Sequence, residues 1–150
     1  MVNTDYRLAN RAVGLEQKPE RRELPLSLRT YLVEDSRIIR ANLTEALEEL
    51  AGVDIIGWAD GAPAASLWLS RHGGEWDLAV VDLFLAEGTG LSVLAACKVR
   101  KTSQRVVVVS NFATPDMRAR CTQFGADAVF DKSTEIDGLI DYCSALHAEH

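Results

Sequence analysis

Residues Leu78 to Gly90 read LAVVDLFLAEGTG, and this stretch decides the fold. Four apolar residues, Leu78 to Val81, run without interruption into the carboxylate of Asp82, and a loop ending in glycines follows. A parallel strand covered on both faces reads as a near-continuous apolar run, and an aspartate is not expected inside one. Asp82 therefore belongs where the strand runs out. In open α/β sheets the crevice beyond the carboxyl ends of the strands is where ligands bind. Taken alone, Asp82 reads equally well as the cap of the next helix or the close of a turn, so its meaning depends on the other strand ends.

The same pattern repeats on either side. Leu28 to Val33 forms a strand that ends at Glu34, Asp35 and Ser36. Ser36 suits the N-cap of a helix over Arg37 to Leu50, where Ile38, Ile39, Leu43, Ala46, Leu47 and Leu50 recur at helical spacing. Gly52 stops that helix and Val53 to Ala59 reads as a second strand. Ala62 to Arg71 is helical, with Pro63 in its first turn and Gly73 and Gly74 at its end. Beyond the central stretch, Leu91 to Arg100 predicts a helix and Arg105 to Ser110, RVVVVS, a fully buried strand. Thr114, Pro115 and Asp116 start a helix that runs to about Phe124 and stops at Gly125. A short strand, Ala128 to Phe130, leads to Asp131, Lys132 and Ser133; Thr134 and Asp137 then have capping-box spacing for a last helix ending near Leu146.

Five strands alternating with five helices through short connections imply an α/β fold: a five-stranded parallel sheet, right-handed crossovers and helices on both faces. A chain of 150 residues, 47% hydrophobic and 25% charged, suits one soluble domain with a real core. Residues 1–27 are polar and interrupted by Pro19 and Pro25, with a short helical pattern at Tyr6 to Val13, and read as an extension outside a domain spanning 28–150. No apolar run reaches the roughly 18 residues of a membrane span and no signal peptide is visible, so a cytoplasmic protein is expected. Net charge is −6, with +2 on residues 1–29 and −8 on the rest. An acidic body argues against direct nucleic-acid binding, which needs Lys and Arg to neutralise phosphates. Cys97, Cys121 and Cys143 are odd in number and widely spaced, so they read as core residues rather than a disulfide or zinc set. His72, His147 and His150 do not cluster, and the last two are expected in a frayed tail.

Four of the five strands place a chemically useful side chain at one edge of the sheet: Glu34 and Asp35, Asp82, Ser110 and Lys132. Two unit charges about 4 Å apart at an effective dielectric near 20 repel by roughly 4 kcal/mol, so clustered carboxylates require raised pKa values or a cation. Oxygen-only ligands with water access suit Mg²⁺, which keeps waters that a phosphate can replace. A lysine and a hydroxyl then remain for a phosphoryl group's other oxygens, and an aspartate can itself be the nucleophile.

With the acidic pair Glu34-Asp35, strand-end Asp82, Ser110 closing VVVVS, and Lys132, the chain over about residues 28–147 resembles the receiver domain of two-component response regulators. The resemblance implies a doubly wound, flavodoxin-like strand order 2-1-3-4-5. It implies that Asp82 accepts a phosphoryl group from a sensor histidine kinase or histidine phosphotransfer protein. Asp35, Asp82 and the backbone carbonyl of Phe84 would ligate Mg²⁺, with Glu34 acting directly or through water. Lys132 would pair with one phosphoryl oxygen and Ser110 would swing to bond another. Gly90 matches the glycine eight residues after the acceptor.

Because the sequence ends at His150, directly after the fifth helix, signalling by contact with a downstream protein rather than enzymatic output is expected; the resemblance implies that the contact surface, and that of a homodimer, is the fourth helix, fifth strand and fifth helix, including Met117, Arg118, Val129 and Tyr142. Phe84 and Phe112 lie two residues beyond Asp82 and Ser110, at positions that in the family flank the phosphoryl group; they are expected either to hinder hydrolytic water or merely to pack on the neighbouring helices.

Three positions depart from the family pattern. Ser133 follows Lys132 where the family commonly has a cis proline, and a cis Lys132-Ser133 peptide would cost roughly 3 to 4 kcal/mol. Val129 occupies the aromatic switch position, with Phe130 expected on the opposite strand face. Ala86 replaces a proline. A dinucleotide-binding reading fails because Val93 stands where the third glycine of GxGxxG belongs, and a DxDx[TV]-type phosphohydrolase fails because Phe84 stands at its general acid. The remaining alternative is a degenerate receiver that works as a phosphorylation-independent protein-interaction module.

Overall fold

A computed structural model describes residues 27–149. The expected extension, apart from Ser27, the helical pattern at Tyr6 to Val13, and His150 lie outside the described residues. The elements are β1 (Leu28–Val33), α1 (Arg37–Ala51), β2 (Val53–Ala59), α2 (Ala62–His72), β3 (Leu78–Asp82), α3 (Gly90–Ala96), β4 (Arg105–Ser110), α4 (Pro115–Gln123), β5 (Ala128–Asp131) and α5 (Ile136–Glu149). All strand pairs are parallel and the order is β2-β1-β3-β4-β5, as expected.

Every residue of β3 is buried, because both faces of the sheet are covered. Ala79 and Val81 pack with Tyr31, Val33, Val106 and Val108 beneath α2, α3 and α4. Leu78 and Val80 pack with Leu28, Leu32, Val107 and Val109 beneath α1 and α5. Side chains that alternate between two hydrophobic layers leave no position in the strand for a polar residue until it ends. Val129 and Phe130 obey the same alternation: Val129 joins the first layer, and Phe130 the second, edge to face with Tyr142.

Three hydroxyls start helices, Ser36 and Thr114 as expected and Thr89 in addition. Ser36 accepts from Ile39 N–H, Thr89 from Ser92 N–H and Thr114 from Met117 N–H, each satisfying a donor that the helix cannot. Gly52 closes α1 at φ 70°, the left-handed region that glycine enters without steric cost.

Four expectations need correction. α3 ends at Ala96, not Arg100: the Cys97 N–H bonds the Val93 and Leu94 carbonyls, tightening the last turn. Arg100 instead folds back, donating to the carbonyls of Cys97, Gln104 and Gly125 and to the Asp127 carboxylate. Thr134 does not cap α5, which begins at Ile136; its N–H turns back to Asp131 Oδ1. The tail is helical to Glu149, and His147 Nδ1 lies 3.3 Å from the Ala51 carbonyl oxygen, tying α5 to the end of α1. In α1, Leu43 and Leu47 are buried but Ile38 falls on the outer side and is exposed.

Candidate functional site

Register places the site. Val33 pairs with Val81, so the next residue on each strand, Glu34 and Asp82, leaves the sheet side by side. Asp82 pairs with Val109 and Ser110 with Asp131, so Ser110 and Lys132 emerge one step further along at the same edge. Asp82 is 6% exposed and Glu34 1% exposed. Carboxylate oxygens of Glu34, Asp35 and Asp82 lie within 4.8 Å of one another. Lys132 Nζ enters this group 2.7 Å from Glu34 Oε1 and 3.2 Å from Asp82 Oδ2.

The acidic turn is built rigidly. Glu34 N–H continues the sheet to the Ala59 carbonyl, and Glu34 Oε2 accepts from Ser36 N–H at 3.0 Å. Arg40 Nη1 donates to the Glu34 carbonyl at 2.8 Å, and its guanidinium lies 3.8 Å over the Trp58 ring. Neither Arg40 nor Trp58 was singled out by sequence; the only signal is an arginine one turn into the helix that follows the acidic pair.

Burial pushes the Asp82 carboxyl up to about 6, with repulsion from Glu34 and Asp35 adding to it and Lys132 opposing. Burial pulls the Lys132 ammonium down, but Glu34 and Asp82 together outweigh it and hold its pKa above the ordinary lysine value. One ammonium against three carboxylates leaves net negative charge in a dry well. All donors are oxygens, as a hard divalent cation such as Mg²⁺ requires.

Ser110 is fully buried and its Oγ accepts from Phe112 N–H at 3.0 Å. The Lys132 N–H donates to the Ser110 carbonyl at 3.0 Å. Phe84 and Phe112 are 51% and 60% exposed and meet edge to face, ring centroids 5.1 Å apart. Glu34, Asp35 and Asp82 thus cluster with Lys132 bonded to Glu34 and Asp82, while Ser110 ends β4 and Phe84 lies two residues beyond β3, both side chains engaged by Phe112.

No described peptide bond is cis, so Lys132-Ser133 is trans. The turn after Lys132 is held by Asp131, Glu135 and Arg118, of which only Arg118 was expected to matter, and then as surface. The three cysteines are buried, with Cys97 and Cys143 thiols pushed by burial up to about 11 and about 12, far from the thiolate that redox chemistry needs. Among the described residues, no helix is long and apolar enough to cross a membrane.

A family model, the response regulator receiver domain, matches residues 30–144. The alginate biosynthesis transcriptional regulatory protein AlgB of Pseudomonas aeruginosa is 33% identical over 116 residues, covering 77% of this chain and 23% of that protein. The protein-glutamate methylesterase/protein-glutamine glutaminase 1 of Paramagnetospirillum magneticum is 27% identical over 125 residues, 80% of this chain and 32% of its own. The chain thus spans about a third or less of the length of these two relatives. Among solved structures, the signal receiver domain of the response regulator NarL from Mycobacterium tuberculosis superposes with a TM-score of 0.68 at 24% identity, covering 79% of this chain and 98% of that one. A chain of the CheX-CheY-BeF3-Mg complex from Borrelia burgdorferi gives a TM-score of 0.71 at 16% identity, covering 83% and 92%.

Proposed function

Because the chain belongs to the response regulator receiver domain family, a family of phosphorylation-based signalling, we propose that it takes a phosphoryl group on Asp82 and signals by protein contact. The supporting observation is the convergence of three carboxylates and one ammonium at the carboxyl edge of the sheet, with Lys132 Nζ 3.2 Å from Asp82 Oδ2.

A carboxylate oxygen of Asp82 attacks the phosphorus of a phosphohistidine on a sensor kinase or phosphotransfer protein. The P–N bond breaks, its electron pair leaves with the imidazole, and Asp82 becomes an acyl phosphate. Glu34, Asp35, Asp82 and the Phe84 carbonyl would hold Mg²⁺, which supplies positive charge for the phosphoryl oxygens when bound. Lys132 exchanges part of its contact with Asp82 for a phosphoryl oxygen at no cost in burial. Ser110 Oγ uses a lone pair on Phe112 N–H, so its own proton is free to be donated to a phosphoryl oxygen. Turning to do so releases the Phe112 N–H, which moves the loop between β4 and α4.

The downstream surface is α4, β5 and α5, including Met117, Arg118, Val129 and Tyr142, and it serves either a target protein or a second copy of the chain. The protein acts in the cytoplasm, binds no nucleic acid itself and catalyses only its own phosphorylation and dephosphorylation.

Incubating the chain with acetyl phosphate and Mg²⁺, followed by intact mass, tests this. One phosphoryl adduct is expected on wild type and none on Asp82→Asn. An unmodified wild type would favour the phosphorylation-independent interaction module.

A further inference from the structure

Lys132 reaches the acidic well from a turn that has almost nothing apolar to hold it. Ser133 and Thr134 are exposed, and β5 is an edge strand of four half-buried residues. A lysine side chain carries about 1.5 to 2 kcal/mol of rotamer freedom, so the Nζ position is only as well defined as the backbone from which it starts. Packing does not define that backbone, and hydrogen bonds do.

Asp131 Oδ1 accepts from Ser133 N–H at 2.8 Å, Ser133 Oγ–H at 2.6 Å and Thr134 N–H at 3.1 Å. The Asp131 N–H donates to Glu135 Oε1 at 2.8 Å, and the Asp131 carbonyl accepts from Glu135 N–H at 2.9 Å. Behind Glu135 stands Arg118, whose Nη2 donates to the same Oε1 at 2.7 Å. Its Nη1 donates to the Val129 carbonyl and its Nε to the Ala113 carbonyl. Both peptide neighbours of Lys132 are thereby clamped, and one guanidinium ties the clamp to β5 and to the start of α4. These bonds to Ser133 and Thr134 hold the Asp131 carboxyl below its ordinary pKa, so it accepts as a carboxylate throughout the neutral range.

We infer that Asp131, backed by Glu135 and Arg118, is a positioning residue for Lys132: it fixes the turn from which the ammonium is delivered between Glu34 and Asp82. Its consequence for rate rests on the proposed acceptor role of Asp82, whereas its consequence for the Lys132 ion pairs does not. Misplacing a catalytic group by about 1 Å is enough to slow a reaction up to about a hundredfold; a loosened turn acts at the lower end of that range.

The experiment is a pair of double-mutant cycles. Phosphorylation by acetyl phosphate with Mg²⁺ is timed for wild type, Asp131→Ala, Asp131→Asn, Lys132→Met and Asp131→Ala/Lys132→Met; the urea midpoints of the same proteins are measured in EDTA. Asp131→Ala is expected to slow phosphorylation about tenfold, and Asp131→Asn, whose amide oxygen accepts the same three donors, to stay within about twofold of wild type. In the Lys132→Met background Asp131→Ala should slow nothing further, and its effect on the urea midpoint should shrink. Equal slowing in both backgrounds with additive midpoints would overturn the inference and leave Asp131 a local turn former. If wild type takes no phosphoryl group, the acceptor reading fails separately and the EDTA cycle alone decides: coupled midpoints uphold the positioning role, additive ones overturn it.

Discussion

Lys132 Nζ lies 2.7 Å from Glu34 Oε1, in an ion pair whose side chains are 11% and 1% exposed. Among the described residues, Glu34 Oε1 has no hydrogen-bond donor besides this ammonium, so the ion pair is what compensates its burial. Removing one partner of a buried pair leaves an uncompensated charge, at a typical cost of about 3 to 5 kcal/mol. Lys132→Met should therefore lower unfolding free energy by about 3 kcal/mol in EDTA, and Mg²⁺ should recover part of the loss by supplying positive charge to the same oxygens. Urea unfolding with and without Mg²⁺ checks this; a loss that Mg²⁺ deepens would show that the variant binds the ion less tightly, so that the lysine supports rather than opposes cation binding.

Asp82 carries the opposite strain. Its folded pKa is about 6 against an ordinary 3.8, so the native state binds the proton more tightly than the unfolded chain does. Ionising Asp82 then costs stability: the penalty is complete above the folded value and is relieved as pH falls through about 6 towards 4. In EDTA, Asp82→Asn should be more stable than wild type by about 2 to 3 kcal/mol at pH 8, with the gap closing towards pH 4. Carboxylates remote from the well cancel in the difference. A gap that stays constant with pH would contradict the raised pKa.

The strand ends were legible because four of the five strands stop at a polar side chain, and parallel pairing brings those stops to one edge. Ser36, Thr89 and Thr114 cap helices through bonds spanning three residues, within reach of any local reading. What escaped acts at longer range or by competition. α3 stops early partly because Arg100 has better acceptors at Gly125 and Asp127, 25 and 27 residues away. His147 docks on Ala51 across 96 residues. Thr134 sits at capping-box spacing, but Asp131 is nearer and charged, and takes its N–H. The trans Lys132-Ser133 bond is the ordinary preference of a non-proline peptide, and serine there also supplies two donors to Asp131 that a proline lacks.

Phe84 and Phe112 meet at an interplanar angle of 75° while both stay more than half exposed. Exposed aromatics held against each other, rather than in the core, form a hydrophobic rim beside the acidic well. In the proposed acyl phosphate, rings that flank the phosphoryl group would stand in the path of hydrolytic water, and excluding that water slows hydrolysis. Phe84→Asn and Phe112→Ala should each shorten the phosphorylated lifetime several-fold while leaving Mg²⁺ affinity unchanged, because Phe84 contributes only its backbone carbonyl to the proposed cation site. Loss of the mass adduct over time reports the lifetime, and an unchanged or longer lifetime in both variants would show that the rings only pack.

Gly90 places α3 against the acceptor strand. Its N–H donates to the Leu83 carbonyl at 2.8 Å, and a Cβ at this position would strike the Asp82 carbonyl oxygen and come within 2.8 Å of Leu83 Cα. Both obstacles are backbone, so neither can rotate aside as a side chain would. Gly90→Ala must therefore push α3 outward or bend β3 at the residue that carries the acceptor. Overpacking of this kind costs about 1 to 3 kcal/mol, more than the roughly 0.5 to 1 kcal/mol by which alanine ordinarily improves a helix over glycine. The variant should lose about 1 to 2 kcal/mol of stability on balance and phosphorylate more slowly than wild type at equal Mg²⁺. Alanine at Gly73, where a Cβ meets nothing within 4 Å, is the control for a change remote from the site: it should leave the phosphorylation rate unaltered, though its φ of 30° disfavours a side chain. Equal rates for Gly90→Ala and wild type would mean that the sheet edge absorbs the displacement without moving Asp82.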